Sequence, residues 1–220
     1  MKTSTLPSLQ EAVAVNASLA YFDLGLTKSE ISALDKLKIT KPHDVALSDK
    51  KQLSADISGY LKNQGNDEDV VKKLTTVISR IVKQTCQAFG ADSFRLDLRA
   101  SLPNDFWDTP RWHIDGYYNG IHSGDDYKVA LSLKGAATLF NTVSGKDKQI
   151  FVDELRASKD QFGIETREKL AKMLDPSLIE TPPLGAGVVF ASGSDKKAAV
   201  HSEPPVHAER LFMAVIPYKK

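Results

Sequence analysis

The sequence predicts an α+β protein whose helices pack on the outside of one sheet system made mostly of antiparallel strands. Two patterns lead to this prediction. Up to Gly90 the apolar residues recur with a period of about 3.6, the period of a helix with one buried face. After Gly90 the period changes to two, which is typical of strands with one buried face.

The chain is predicted to form a single domain, residues 1–220. A helical front at residues 1–90 precedes a strand-rich core at residues 91–220, which contains a helical insertion at about residues 148–174. No internal repeat or Gly/Ser-rich linker separates these regions, and 220 residues are enough for one sizeable core. We therefore expect the helices to cover the sheet system.

Two helices are predicted from local signals. Thr27 can cap a helix, and Glu30 follows it by three residues, as in a capping box. A longer helix begins near Asp69 and stops at Gly90, and its apolar stripe consists of Val70, Val71, Leu74, Val77, Ile78, Ile81, Val82 and Phe89. Cys86 lies on that stripe, so we interpret it as a small buried residue and not as a nucleophile.

Strands with one buried face are predicted in the second half of the chain. In SFRLDLRAS, residues 93–101, the apolar side chains share one face and Arg95, Asp97 and Arg99 share the other. Further candidates are RWHIDGYY, YKVALSLKG, ATLFNTV, GAGVVFAS, KAAVHSE and RLFMAVIPY, each bounded by Gly, Pro, Asn or Ser. This pattern predicts a sheet system with many short strands.

Composition and charge exclude several classes of function. Lys and Arg number 29 against 28 Asp and Glu, so the chain lacks the global charge that favours nucleic acid or an anionic membrane. A single cysteine excludes an internal disulfide and a Cys-x-x-Cys zinc site. The N-terminal segment is too weak for a signal peptide and too short to span a bilayer, so we expect a cytoplasmic protein.

His113 and Asp115 form the first candidate site. A spacing of two on a strand points both side chains to the same side of the sheet. His201 would complete a metal site if its strand returns beside that of His113. Two imidazoles and a carboxylate suit Fe(II) and leave an open face for a cosubstrate and dioxygen. The alternative is a chance pair, with His201 hydrogen-bonded in a turn.

Arg210 follows His201 by nine residues and opens the last predicted strand. A guanidinium offers a planar fork that matches a carboxylate, and a buried arginine is costly unless an anion meets it. A dicarboxylate cosubstrate would be such an anion. The alternative is an arginine at the rim of the sheet that pairs with an aspartate or glutamate.

The order His113-x-Asp115, His201, Arg210 resembles the motif of the Fe(II)/2-oxoglutarate-dependent dioxygenases. The resemblance implies a double-stranded β-helix, a jelly-roll or cupin-like fold, with helices packed outside. It implies that His113, Asp115 and His201 are the catalytic residues and bind Fe(II), and that Arg210 binds the cosubstrate 2-oxoglutarate. The segment HSEPP with the following ERLFMAVIPY also looks like an uncharacterised bacterial family with His-x-Asp and His-x-x-Pro-Pro elements.

The resemblance further implies an oxidoreductase that uses 2-oxoglutarate and dioxygen to hydroxylate or otherwise oxidise a C–H bond of a small molecule. Many enzymes of this superfamily carry a serine or threonine two positions after the arginine, where this chain has Phe212. Thr138, Lys134 or Arg99 could supply the missing polar contact to the carboxylate.

Substrate contacts are predicted from the segments that flank the metal site. Arg99, Trp112 and Tyr117 are the substrate-binding candidates, with Asp97 and Tyr118 beside them. Two arginines and an aspartate on one strand face predict a small polar substrate such as an amino acid, and a peptide or protein side chain fits equally. Aromatic residues at strand ends are more often packing residues, which is the alternative for Trp112 and Tyr117.

Three other functions stay open at this point. A cupin-like iron oxygenase or oxidase would bind its substrate directly on the metal without 2-oxoglutarate, which Phe212 favours. A non-catalytic binding module would use its histidines structurally. A zinc hydrolase would recruit His207 beside His113 and His201, but the chain lacks the helical His-Glu-x-x-His arrangement. The oligomeric state is not predicted.

Overall fold

The computed structural model describes residues 6–104, 108–116, 126–160, 163–183, 185–193 and 196–219. The helices within them are α1 (Leu9–Ala14), α2 (Lys28–Asp35), α3 (Leu53–Asn63), α4 (Glu68–Phe89), α5 (Gly145–Ala157) and α6 (Ile164–Lys172), with a 3-10 turn at Pro176–Leu178. The strands are β1 (Leu19–Asp23), β2 (His43–Leu47), β3 (Ser93–Ser101), β4 (Arg111–His113), β5 (Asp126–Lys134), β6 (Leu139–Asn141), β7 (Ile179–Glu180), β8 (Ala186–Ser192), β9 (Val200–Glu203) and β10 (Arg210–Tyr218).

The strands form two antiparallel sheets. The larger sheet has the order β1-β8-β5-β10-β3-β2, and the smaller sheet has the order β4-β9-β6-β7. From β3 onward the chain passes repeatedly from one sheet to the other, so that β3, β5, β8 and β10 lie in the larger sheet and β4, β6, β7 and β9 in the smaller one. This is the strand order of a double-stranded β-helix, with β1 and β2 added at the two edges of the larger sheet. The predicted fold class is confirmed.

A small apolar core holds the two sheets together. Phe140 of the smaller sheet packs edge-on against Phe190 of the larger sheet, with ring centroids 5.2 Å apart. The other buried members of this core are Ala130, Val188, Ala199, Phe212 and Ala214. Beside this core the sheets enclose a more polar cavity, which is described below.

The helices before β3 pack on the outer face of the larger sheet. In α4 the predicted apolar stripe is buried in one core with Leu211, Met213 and Val215, the outward-facing residues of β10. Gly90 ends α4 as expected, with a φ of 57°, and Asp67 caps its first turn. No helix within the described residues is both long and apolar enough to cross a membrane.

The predicted helical insertion consists of two helices, α5 and α6. Both helices pack on the outer face of the smaller sheet. Trp112 of β4 and Val200 of β9 lie there in one buried cluster with apolar residues of the two helices. The helical residues of this cluster are Phe151, Val152, Leu155 and Leu170, and Leu174 follows α6. Helices therefore cover both sheets from outside.

The prediction that residues 1–90 are helical was wrong at β1 and β2. Each strand has five residues and lies at an edge of the larger sheet, where β1 pairs with β8 and β2 pairs with β3. Only Phe22 of these two strands is buried, so neither strand carries the alternation of buried and exposed residues that marks a strand in a sequence. Pairing with a neighbouring strand determines the conformation of such short edge segments.

Candidate metal centre

Strand pairing between β4 and β9 brings the predicted metal ligands together. His113 is the last residue of β4 and lies directly opposite His201 of β9, with ring centroids 4.2 Å apart. Asp115 lies two residues beyond, and its carbonyl accepts a hydrogen bond of 3.0 Å from the amide of Gly193 at the end of β8. One candidate ligand atom from each of the three side chains lies within 4.8 Å of the others.

Hydrogen bonds orient both imidazoles in the same way. Nδ1 of His113 donates to the carbonyl of Arg111 at 2.8 Å, and Nδ1 of His201 donates to the carbonyl of Ala199 at 3.0 Å. The Nε2 atoms therefore point towards Asp115, at 3.7 Å from Oδ1 for His113 and 3.3 Å from Oδ2 for His201. Such a backbone hydrogen bond to the second ring nitrogen is typical of metal-binding histidines.

The surroundings set the charge of these groups. Burial and the nearby His201 and Arg111 hold the pKa of His113 well below its usual range, so this imidazole is neutral at pH 7. Burial raises the pKa of Asp115, but His201, Lys128 and His113 together lower it far below its usual range, so the carboxylate is ionised. A neutral imidazole and a carboxylate are the protonation states that metal ligands require.

The donor set fits a divalent transition metal. Two nitrogens and one carboxylate on one side of an ion leave further coordination positions open towards the cavity, as in two-histidine, one-carboxylate iron sites. Nε2 of His113 lies 3.3 Å from Nη2 of Arg111, so in this structure the nitrogen has a cationic partner that a metal would replace. Zinc and manganese suit the same donors.

A cavity of about 200 Å³ adjoins the three ligands. Charged side chains line it together with Thr138, Phe190 and Phe212; among the described residues the cations are Arg95, Arg99, Arg111 and Lys128, and the carboxylates are Asp97, Asp115 and Glu203. Arg95 pairs with Asp97 at 2.8 Å, while Glu203 lies 3.0 Å from Arg99 and 3.6 Å from Arg111. The cavity is therefore suited to a charged polar ligand.

The sequence interpretation missed Lys128 and Arg111. Lys128 lies on β5, and its Nζ atom is 3.1 Å from Oδ2 of Asp115. The sequence does indicate that Lys128 points inward, because strand alternation puts it on the face of Ala130 and Ser132, opposite the fully apolar face of β5. Arg111 stands two residues before His113 on the same strand, and the same alternation points it into the cavity.

Arg210 lies on the inward face of β10 as predicted, but it lines an adjoining cavity of about 260 Å³. Its guanidinium is 4.8 Å from the ring centroid of Phe212, which lines the metal cavity. Nε donates to the carbonyl of Ala136 at 2.9 Å, and Nη2 is buried without a hydrogen-bond partner in the described structure. Burial lowers the pKa of Arg210 to about 10, so it stays charged at neutral pH. Arg99 and Glu203 line both cavities.

The other residues predicted to bind substrate or cosubstrate do not all line the metal cavity. Arg99 and Asp97 line the metal cavity, as does Thr138. The prediction that Trp112 binds substrate is corrected: it points away from the cavity, because its neighbours on β4 point inward, and it is buried against α5 and α6. Lys134 turns outward to the carbonyl of Leu37 and to Glu209. Tyr117 lies outside the described residues, as do Tyr118 and His122.

No protein-family model matches the chain, and no curated protein matches it. Among solved structures, it is similar to a prolyl-4-hydroxylase from Pseudomonas putida, at 14% identity and a TM-score of 0.47, over 96% of this chain and 99% of that chain. It is similar to the viral collagen prolyl hydroxylase of Paramecium bursaria Chlorella virus-1, at 13% identity and a TM-score of 0.42, over 100% and 97% of the two chains. It is also similar to the non-haem alpha-ketoglutarate-dependent carbocyclase SnoK of nogalamycin biosynthesis, at 13% identity and a TM-score of 0.45, over 96% and 85%.

Proposed function

We propose that the protein is a non-haem Fe(II)-dependent oxygenase that uses 2-oxoglutarate and dioxygen to oxidise a C–H bond of a small polar molecule, such as an amino acid. One observation carries this proposal. The Nε2 atoms of His113 and His201 and the carboxylate of Asp115 converge at the wall of a charged cavity between the two sheets.

Each of these residues has a defined part in the proposed site. His113 and His201 would hold the metal through Nε2, because Nδ1 of each ring is engaged with a backbone carbonyl. Asp115 would supply one negative charge, and the ammonium of Lys128 holds one of its oxygens. When bound there, Fe(II) supplies the redox chemistry that couples dioxygen to the oxidation of a C–H bond. The surrounding sheets restrict the access of water to the reacting groups.

The charges on the cavity wall support a polar substrate. Arg95 and Arg99 with Asp97 stand on the inward face of β3, next to Arg111 and Glu203 of the smaller sheet. Arginines can bind a carboxylate, and the acidic residues can bind an ammonium group of the same molecule. A volume of about 200 Å³ has room for a molecule of a few heavy atoms, which supports an amino acid rather than a protein domain.

A second candidate function is an iron oxygenase or oxidase that does not use 2-oxoglutarate. The placement of Arg210 favours it: Phe212 lines the metal cavity, while Arg210 lines the neighbouring one. A substrate would then bind the metal itself, and Arg99 or Arg111 would hold its charged group.

A spectroscopic titration tests the proposal. Anaerobic Fe(II)-loaded protein is titrated with 2-oxoglutarate, and we expect a weak visible charge-transfer band, followed by succinate when air is admitted. The variant His113→Ala should lose both signals, while His43→Ala, which removes a histidine that stacks on Tyr60 and does not line the metal cavity, should keep them. Iron binding without a band or succinate would favour the second candidate, and no iron binding would contradict both.

A further inference from the structure

A lysine lies directly on one of the candidate metal ligands. The Nζ atom of Lys128 is 3.1 Å from Oδ2 of Asp115, and its side chain is only 9% exposed. The strand register explains the direction of this side chain, because Lys128 of β5 pairs with Phe190 of β8, which lines the same cavity. A buried positive charge therefore contacts the carboxylate that a metal would also contact.

The ammonium and a metal would compete for the same oxygen. Oδ2 of Asp115 faces both Lys128 and Nε2 of His201, while Oδ1 faces Nε2 of His113 at 3.7 Å. A cation bound between the two imidazoles would meet a carboxylate that another cation already holds. Lys128 stands on a strand inside the larger sheet, and its side chain is mostly buried, so its charge lies close to the site and is little screened by water.

We propose that Lys128 is a built-in competitor for the metal: its ammonium neutralises Asp115 in the metal-free protein and weakens the binding of a divalent cation. The inference rests on the proposed function, since it takes His113, Asp115 and His201 as the ligands. This competition would make metal occupancy depend on a further anion. A dicarboxylate or an acidic substrate in the cavity would offset the positive charge that the metal ion adds beside Lys128.

Removal of the positive charge of Lys128 has two effects, and both favour metal binding. The repulsion between a single and a double positive charge disappears, and Asp115 loses its competing partner in the metal-free state. The hydrogen bond that holds Asp115 is also lost, but one hydrogen bond contributes less than the repulsion between such charges a few ångströms apart. We therefore expect tighter metal binding without Lys128.

Arg111 also touches a ligand. Its Nη2 atom is 3.3 Å from Nε2 of His113 and 3.6 Å from the carboxylate of Glu203. When a metal takes Nε2, the guanidinium can stay on Glu203. Lys128 contacts the carboxylate ligand itself, so its charge is the one to remove.

The test is a titration of the full-length protein with Mn(II), in which the electron paramagnetic resonance signal measures the unbound ion. We expect Lys128→Met to bind Mn(II) about tenfold more tightly than the natural protein or better. Lys128→Arg keeps the charge and should bind like the natural protein. Lys134→Met is the matched control, because Lys134 stands on the same strand, turns outward and pairs with Glu209 at 2.8 Å, and it should change the affinity by less than about twofold.

Thermal unfolding provides a second measurement. Metal-free Lys128→Met should melt at a lower temperature than the natural protein, because Asp115 is left as a buried carboxylate without its ammonium. Saturating Mn(II) should raise the melting temperature of this variant by more than that of the natural protein. Equal or weaker Mn(II) binding by a folded Lys128→Met protein overturns the inference and leaves the metal site standing. If neither protein binds Mn(II), the metal site fails, and the inference fails with it.

Discussion

Single hydrogen bonds decide which atoms of the candidate site can act. Because the Nδ1 atoms of His113 and His201 are bound to carbonyls two residues earlier in the chain, both rings present Nε2 to Asp115. The arginines also differ in their contacts: Arg111 and Arg99 contact Glu203 at the cavity, while Arg210 has a buried Nη2 with no hydrogen-bond partner among the described residues. A buried guanidinium of this kind indicates an anion as its partner.

Replacement of Arg210 by methionine separates the two candidate functions. If Arg210 holds 2-oxoglutarate, the variant should bind it about tenfold more weakly or worse, since a bidentate pair with a carboxylate is lost. Quenching of protein fluorescence by 2-oxoglutarate in the presence of Mn(II) measures this affinity. Arg99→Met is the comparison. If only Arg99→Met weakens the binding of 2-oxoglutarate, the carboxylate lies in the metal cavity, and the prediction that Arg210 binds it is wrong.

At the scale of elements, turns and helix ends position the strands that carry the site. Gly135 follows β5 with a φ of 77°, and a Cβ atom there would run into the backbone of Glu209 and approach Arg210. The next carbonyl, of Ala136, accepts the hydrogen bond from Nε of Arg210. This turn therefore sets where β10 begins and where its arginine lies.

Alanine at Gly135 should destabilise the protein by more than alanine at Gly145. Both glycines have a positive φ, which costs a non-glycine residue about 1 kcal/mol, but no atom in the described part of the chain lies within 4 Å of an added Cβ at Gly145. The clash at Gly135 adds to that strain, so we expect a loss of about 2 kcal/mol or more. Urea unfolding of both variants measures the difference, and equal losses would contradict the proposed steric role of the turn.

The contact between α2 and α4 should depend on pH. Burial raises the pKa of Glu30, but hydrogen bonds from the Thr27 amide and from Arg80 lower it by more, so the folded-state pKa lies below its usual value of 4.5. Glu30 therefore stabilises the fold at pH above that usual value, and this stabilisation is lost as the pH falls through the folded-state value. Glu30→Gln should cost about 1 kcal/mol in urea unfolding at pH 7 and less at pH 3. A cost that does not change with pH would contradict this assignment.

At the scale of the whole molecule, the three apolar clusters have separate positions. Within the described residues, the largest joins the helices before β3 to the larger sheet, a second joins α5 and α6 to the smaller sheet, and a third lies between the sheets. The outer clusters hold each sheet from outside, so the interior can carry charged residues in a cavity instead of a complete apolar core. A site built on packed strands is also more rigid than one built on loops.

Metal and cosubstrate should stabilise the whole fold together. Among the described residues the cavity carries Lys128, Arg95, Arg99 and Arg111, so a divalent cation should bind better when a dicarboxylate is present, and thermodynamic linkage makes the effect reciprocal. We expect Mn(II) and 2-oxoglutarate together to raise the melting temperature by more than the sum of their separate effects. Chloride at equal ionic strength is the control, and additive shifts with 2-oxoglutarate would contradict the coupling.

Local sequence patterns predicted the elements that depend on near neighbours. The stripe of α4, the Thr27 capping box and the helix end at Gly90 were confirmed, because each rests on residues within one or two turns. The alternation in SFRLDLRAS likewise predicted that Arg95, Asp97 and Arg99 share one face of β3. The edge strands β1 and β2 could not be predicted this way, since pairing partners determine their conformation.

The sequence by itself determined the residue types of the site, two histidines, an aspartate and an arginine in a fixed order, and the alternation that turns them inward. Only the tertiary structure decided that His201 pairs with His113, that Lys128 meets Asp115, and that Trp112 faces the helices. The reason is physical: side-chain direction follows from the local period of a strand, but contact between distant strands depends on sheet order and register, to which every other strand contributes.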